Sequence, residues 1–279
     1  MKQSFSITQE DFCQFSAFLE QSCGILLAKH KQYLVQSRLS RLMREQSCTS
    51  LGELVQRLRR PGSRALQEAV IDAMTTNETL WFRDTHPYEI LANRLLPELS
   101  AKRRLQKLRI WSAACSTGQE PYSISMVIDE FKCSHAGAFS GGEEILATDI
   151  SNSVLNQAQQ GEYEMLALGR GLSQMRLQRY FNATGSGGWQ VRPEIRARVR
   201  FQSLNLLGSY AALGQFDIVF CRNVLIYFSS DVKLEILRKM RHQLRPGGYL
   251  LLGASESLSG LSDLYRMIHC RPGIIYQAI

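Results

Sequence analysis

Apolar positions recur every three to four residues through the first quarter of the chain. Beyond it they gather into short unbroken runs separated by helical stretches, and this change of period divides the molecule. In residues 1–74, Phe12, Phe15, Phe18 and Leu19 form one helical stripe behind a capping box made by Thr8 and Asp11, and Gly24 ends that helix. A second helix is predicted over about 31–44: Val35, Leu39, Leu42 and Met43 share one face, while Arg38, Arg41 and Arg44 step round the other. Two shorter helices are expected over 50–60 and 63–74, around the Pro61-Gly62 break. At 75–84, TTNETLWFRD, the period is lost, and the stretch reads as a linker unusually rich in side-chain donors. An amphipathic helix over 85–99, with Pro87 near its start, follows it.

Short apolar runs at 108–113, 144–148, 199–203, 216–221 and 249–253 read as strands, with helices between them, including one over 231–244 stopped by Pro246-Gly247-Gly248. The last two runs, 265–270 and 274–277, flank Arg271-Pro272-Gly273 as a hairpin expected to add an antiparallel edge. Strands alternating with helices predict an α/β fold, a parallel sheet covered on both faces, behind an all-α N-terminal domain. Residues about 161–200 break the alternation, with seven arginines and Gly185-Ser186-Gly187-Gly188 in their middle. They read as an inserted small β element; the plain alternative for the arginines is a solvated surface.

Composition narrows the partners. At 279 residues, 44% hydrophobic and 21% charged, the chain has the balance of a soluble globule with room for two cores. No apolar run approaches the ~18 residues of a membrane helix, and the N-terminus has no signal-peptide pattern. Seven scattered cysteines without a C-x-x-C indicate reduced thiols in the cytoplasm and no metal site. The net charge of +8 calls for an acidic partner, and 29–44, with five Lys or Arg and no acid, is a candidate docking face for one. A solvated helix face is the alternative.

The candidate chemistry lies at the strand ends. In an open parallel sheet, ligands bind beyond the carboxyl ends of the strands, where strand order reverses. Four runs end in polar residues here: 112–120, Asp149, Asn205, and Arg222-Asn223. A carboxylate after the second strand can accept from both hydroxyls of a ribose, although Asp149 is equally placed to cap the helix that follows. A dinucleotide would need G-x-G-x-x-G and a vacant helix N-terminus for its pyrophosphate. The turn AACSTGQEPYS has one glycine, and Glu120 occupies the phosphate's position. A carboxylate there repels phosphate and suits a cation, which argues against NAD and for S-adenosylmethionine.

Taken together, TTNETLWFRD, WSAACSTGQEPYS, ATDIS, NLL, FDIVFCRNVLIYF and LRPGGYLLLGASESL resemble the CheR family of chemotaxis receptor glutamate O-methyltransferases across essentially the whole chain. The resemblance implies a class I S-adenosylmethionine-dependent methyltransferase domain (Rossmann-like) over 85–279, with an inserted β-subdomain at about 161–200. It also implies a helical receptor-docking domain at 1–74 and a linker at 75–84 that contributes to the cofactor site. Cofactor contacts are implied for Asn77, Thr79, Arg83, Glu120, Asp149, Asn205, Leu206, Arg222 and Asn223, and substrate-side roles for Arg83 and Tyr227. Gln119 stands where many members carry a second acid, leaving Glu120 alone for the cofactor's amino group. The basic helix with Arg38, Arg41 and Arg44 is implied to dock on the cytoplasmic region of transmembrane chemoreceptors, and in some members the β-subdomain grips the receptor's C-terminal tail. No nucleic acid and no membrane insertion are expected. For Tyr227 the alternative is a core aromatic between Ile226 and Phe228. An RNA methyltransferase would also suit the basic charge, but RNVLIYF lacks the Asn/Asp-Pro-Pro-aromatic pattern of amino-group methylation, and the basic segments carry few aromatics for stacking bases. A non-catalytic cofactor-binding adaptor is a further alternative.

Overall fold

The structure, a computed structural model, describes residues 5–279 apart from Arg104, Ser186 and Ser259. Four helices open it: α1 (Gln9–Cys23), α2 (Gln32–Glu45), α3 (Leu51–Leu58) and α4 (Arg64–Met74). Helix α1 starts at the expected capping box: the Thr8 hydroxyl accepts from Asp11 N–H while the Asp11 carboxylate accepts from Thr8 N–H. It ends at Gly24 in the left-handed conformation (φ +77°). Phe12, Phe15 and Leu19 pack with Val35, Leu39 and Met43 of α2 and with α3 and α4 in one apolar core. Phe18 and Leu42 lie at its margin.

After the linker, α5 (His86–Ile90) continues through one π-helical turn, Leu91–Leu95, into α6 (Leu96–Lys102). The alternating region then runs β1 (Leu108–Ala113), α7 (Gln119–Ser134), β2 (Glu143–Asp149) and α8 (Asn152–Gln160). The insertion follows as β3 (Glu162–Tyr163), α9 (Met165–Leu168), α10 (Gln174–Tyr180), β4 (Phe181–Ala183), β5 (Trp189–Val191) and α11 (Pro193–Arg196). The chain returns to the main sheet with β6 (Val199–Ser203) and β7 (Phe216–Cys221), then α12 (Ser230–Gln243), β8 (Leu244–Leu252), β9 (Tyr265–His269) and β10 (Ile274–Ala278).

The seven-stranded sheet has the order β6-β2-β1-β7-β8-β10-β9. Its first five strands are parallel, and the order reverses between β1 and β7. The hairpin adds its antiparallel pair at the edge of the sheet, as expected. Strand β10 runs antiparallel to both β8 and β9 and lies between them, so the edge strand is β9 and the antiparallel strand is internal. Strand β8 begins earlier than its apolar run, because Arg245-Pro246-Gly247-Gly248 is taken up as an irregularity opposite Phe216 and Ile218.

The insertion forms a separate antiparallel sheet, β3-β5-β4, with a tight turn closed by Thr184 N–H to Gly188 C=O (2.8 Å). The Ser186 of that glycine-rich turn lies outside the described residues. Four of the insertion's arginines pair with acids, although Arg170 and Arg179 stay about half exposed and Arg200 is exposed. Arg176 binds Glu130 through two nitrogens (2.8 and 2.9 Å) and covers the Phe82 ring, and Arg179 and Arg198 both pair with Asp129. Arg170 reaches Glu78 of the linker (2.8 Å). These arginines fasten the insertion to the end of α7 and to the linker.

Candidate active site

The turn between β1 and α7 is built around three left-handed residues, Ala114 (φ +62°), Ser116 (φ +49°) and Gly118 (φ +94°). Glycine is required at 118, since a Cβ there would meet the Ala158 methyl and the Tyr163 hydroxyl at 3.0 Å. The turn aims Glu120 up from the first turn of α7 toward the end of β1. Ser112 donates to its Oε1 (2.8 Å) and Arg222 to its Oε2 (3.0 Å). Burial pushes the Glu120 carboxyl above the usual carboxylate range, and the Arg222 charge and the two hydrogen bonds only partly offset it. Neighbouring Gln119 turns away: its side chain accepts from the Thr117 hydroxyl (2.8 Å) and does not line the cleft.

Asp149, at the end of β2, is 7% exposed. Its two oxygens accept from Ser116 N–H (2.8 Å) and Ser151 N–H (3.1 Å). It is not the cap of the following helix; Ser151 is, accepting from Val154 N–H. Burial raises the Asp149 carboxyl as well, against the pull of these backbone donors.

A single cleft of about 1290 Å³, counting its open mouth, lies over these strand ends. It is lined by Asn77, Thr79, Arg83, Glu120, Asp149, Asn205, Leu206, Arg222, Asn223 and Tyr227. Every residue expected to hold a cofactor or to face a substrate therefore stands on one wall or another of the same space, at the reversal of strand order. Tyr227 is half-buried on that wall and is not packed in the core. Ile150 and Leu204 add apolar surface beside Asp149, whose backbone carbonyl accepts from Leu204 N–H (2.9 Å).

Several of these side chains bind the protein itself. The Arg222 guanidinium is 1% exposed and joins Glu120, the Arg83 carbonyl (2.8 Å) and the Asp84 carboxylate (2.7 Å). It fixes the linker against the sheet. The Asn205 amide donates to Ser22 C=O at the end of α1 (2.7 Å) and accepts from Leu207 N–H (2.9 Å), so it fastens the helical domain to the strand end. Leu26 N–H donates to Tyr227 C=O (2.9 Å), and Ser116 Oγ to Asn77 C=O (2.8 Å). The cleft is thus roofed by the linker and by the segment after α1. Sequence reasoning did not assign this roof, which includes Ile25, Leu26, Leu27, Lys31 and Leu34.

Of the three arginines expected on a docking face, one behaves differently. Arg38 lines the cleft and donates to the Met74 and Thr75 carbonyls and to Thr76 Oγ1 (2.7 Å), holding the start of the linker. Arg41 and Arg44 are exposed, with Arg41 paired to Glu45 one turn on (2.7 Å). Arg38 is a brace, and the outward basic face is carried by the other two.

The donor set fits an adenosine with a cationic tail. A carboxylate offers about four acceptor positions, and the bonds above use two on Glu120 and two on Asp149. Asn223 Oδ1, another acceptor, is buried without a partner, and a cationic amino group on the ligand would satisfy it. Among the described residues no cluster of His, Cys, Asp or Glu could hold a metal ion, and no helix is long and apolar enough to cross a membrane.

Two family models match the chain: "CheR methyltransferase, all-alpha domain" over residues 10–75, and "CheR methyltransferase, SAM binding domain" over 77–274. Among curated relatives, chemotaxis protein methyltransferase Cher2 of Pseudomonas putida is 61% identical over 268 residues, covering 96% of this chain and 98% of the relative. Chemotaxis protein methyltransferase 1 of Pseudomonas aeruginosa is 60% identical over 273 residues, covering 98% and 99%. The chemotaxis protein methyltransferase of Escherichia coli K12 is 38% identical over 271 residues, covering 96% and 91%.

Proposed function

Since the chain belongs to the CheR methyltransferase family, and is an S-adenosylmethionine-dependent methyltransferase of chemotaxis, we propose that it esterifies glutamate side chains on the cytoplasmic part of chemoreceptors. The observation that carries this reading is one cleft in which two carboxylates, the largely enclosed Glu120 of the first turn of α7 and the buried Asp149 at the end of β2, stand above adjacent strands while Arg83 and Tyr227 line the same space. Bound there, S-adenosylmethionine supplies a methyl group on a positively charged sulfur for in-line displacement.

Glu120 and Asn223 Oδ1 accept from the cofactor's amino group, and Asp149 accepts from the ribose hydroxyls. Leu206, with Ile150 and Leu204, gives the adenine an apolar wall, while Asn77 and Thr79 close the cleft from the linker. Asn205 and Arg222 hold the walls in place. Arg83, tethered to the Glu78 carbonyl (3.2 Å), orients the acceptor carboxylate by charge-assisted hydrogen bonding. Tyr227 shapes the approach to the methyl group. A glutamate, with a reference pKa of about 4.3, is already ionised at neutral pH, so the site needs no general base. Positioning is the whole task, and orientation effects of this kind supply about 7–11 kcal/mol at most. Arg41 and Arg44 meet the acidic receptor surface. The β3-β5-β4 sheet, with β4 at its edge, takes the receptor's C-terminal tail by strand addition. The domain divisions at 1–74, 75–84 and 85–279 follow these tasks.

The test is the chemistry of the product. Receptor-containing membranes incubated with the enzyme and methyl-labelled cofactor should yield label that mild alkali releases as methanol. Label stable to alkali would mean N- or ribose methylation and would overturn the reading. Arg83→Ala should cut turnover by about 100-fold while the product S-adenosylhomocysteine still binds; unchanged turnover would remove Arg83 from the mechanism.

A further inference from the structure

Residues 222–228 carry Asn223 and Tyr227 on the cleft wall, yet no sheet ladder holds them. Asn223 is in the left-handed region (φ +58°), and Leu225–Tyr227 is a single 3-10 turn. Beside the Leu26 N–H bond to Tyr227 C=O, they have an anchor in another loop, the one after β8. Glu256 Oε2 accepts from Asn223 N–H (2.8 Å) and from Gly253 N–H (2.8 Å), and Glu256 Oε1 accepts from Ile226 N–H (3.3 Å). The fit is close: a Cβ on Gly253 would stand 2.7 Å from Glu256 Oε2 and 2.8 Å from Asn223 N. One carboxylate therefore spans the turn that presents both functional side chains.

We propose that Glu256 is a positioning residue for methyl transfer, its two oxygens governing different events. This rests on the roles given above to Asn223 and Tyr227. Oxygen Oε2 sets Asn223, whose buried Oδ1 has no protein partner, and so governs cofactor affinity. Oxygen Oε1 sets Ile226 and, one residue on, Tyr227, and so governs turnover. Neither oxygen touches a reacting atom. Their work is preorganisation, in which small misplacements have large kinetic effects.

The asymmetry makes Glu256→Gln diagnostic. Its remaining carbonyl oxygen satisfies the two donors that converge at Oε2, and its new amide N–H2 then faces Ile226 N–H, donor against donor. Calorimetry should find S-adenosylhomocysteine bound within about twofold of the parent, while turnover on receptor-containing membranes falls by about 10- to 100-fold with the cofactor KM unchanged. In Glu256→Ala both supports are lost, and affinity should also fall, by about tenfold. The proposal is overturned if Glu256→Gln has the parent's turnover, or if turnover and affinity fall together in it as the melting temperature drops, which is the mark of a merely structural residue. Tyr227→Ala and Asn223→Ala run beside it as controls. If Tyr227→Ala keeps full turnover and Asn223→Ala full affinity, the roles assigned to them fail, and the proposal with them. If those controls are impaired while Glu256→Gln is not, the proposal alone fails.

Discussion

Glu120 is held between opposing influences: burial favours its neutral form, while Arg222 and Ser112 favour its charge. Burial wins, so the carboxyl titrates above its usual range. The linkage has a definite sign. A carboxyl raised by folding contributes stability below the ordinary carboxylate range and loses that contribution as pH rises through its raised value. Cofactor binding runs the other way, because an amino group on the ligand selects the ionised form. Affinity for S-adenosylhomocysteine should therefore weaken as the solution is acidified through that raised range, with protons released on binding. Calorimetry in buffers of different ionisation enthalpy reads that release, and Glu120→Gln should shrink it. Affinity and proton count that stay flat across this range would mean that Glu120 does not meet the amino group. The residue types of this pocket were legible in the sequence, because carboxylates and amides after apolar runs are visible there. The backbone that aims them was not. Phe82, Asp84, Thr85, Ala114, Ser116 and Asn223 are all left-handed, and of these only Asp and Asn are types enriched in that conformation.

Helices with a strong apolar period were equally legible, and α1, α2 and α12 lie within a few residues of expectation. What the pattern could not reveal was how exposed arginines divide their work. Arg38 and Arg41 are three positions apart on one helix, yet Arg38 faces the linker carbonyls and Arg41 faces solvent. The partners that decide this, at 74–76, are remote in sequence. The same holds for the insertion, whose arginines find Asp129 and Glu130 at the far end of α7. The two halves of the basic helix should consequently fail in different ways. Arg41→Glu with Arg44→Glu should raise the KM for receptor membranes and leave S-adenosylhomocysteine binding intact. Arg38→Ala should weaken that binding by about tenfold, having released three hydrogen bonds beside Asn77. Identical behaviour in the two variants, measured by calorimetry and by initial rates, would mean that α2 acts as a single surface.

Over the whole molecule, the helical domain and the insertion reach the cleft from different sides, through Asn205–Ser22 and Leu26–Tyr227 on one and Arg170–Glu78 on the other. A receptor tail held on the β3-β5-β4 sheet would act as a tether, raising the local concentration of acceptor glutamates without changing the chemistry. A peptide of that tail should bind the enzyme whether or not S-adenosylhomocysteine is present, and removing the tail from the receptor should slow methylation only at low receptor concentration. Absence of peptide binding would leave the small sheet as a buttress for the linker. The parallel sheet was foreseeable from the alternation of strands and helices, but not the reversal of its order between β1 and β7. Nor was the placement of β10 inside the sheet, since a hairpin pattern does not say which of its arms pairs with the rest.

That placement sets a timetable for synthesis. The N-terminal helices bury their apolar faces against one another and can settle as they leave the ribosome. Strand β9 has no such independence: β8 already pairs with β7, but Ile274–Ala278, the ribbon that joins β9 to β8, is translated after both. Until it emerges, the nascent sheet ends at β8, and a ribosome stalled short of it holds a protein with its five parallel strands able to pair and β9 still without a neighbour.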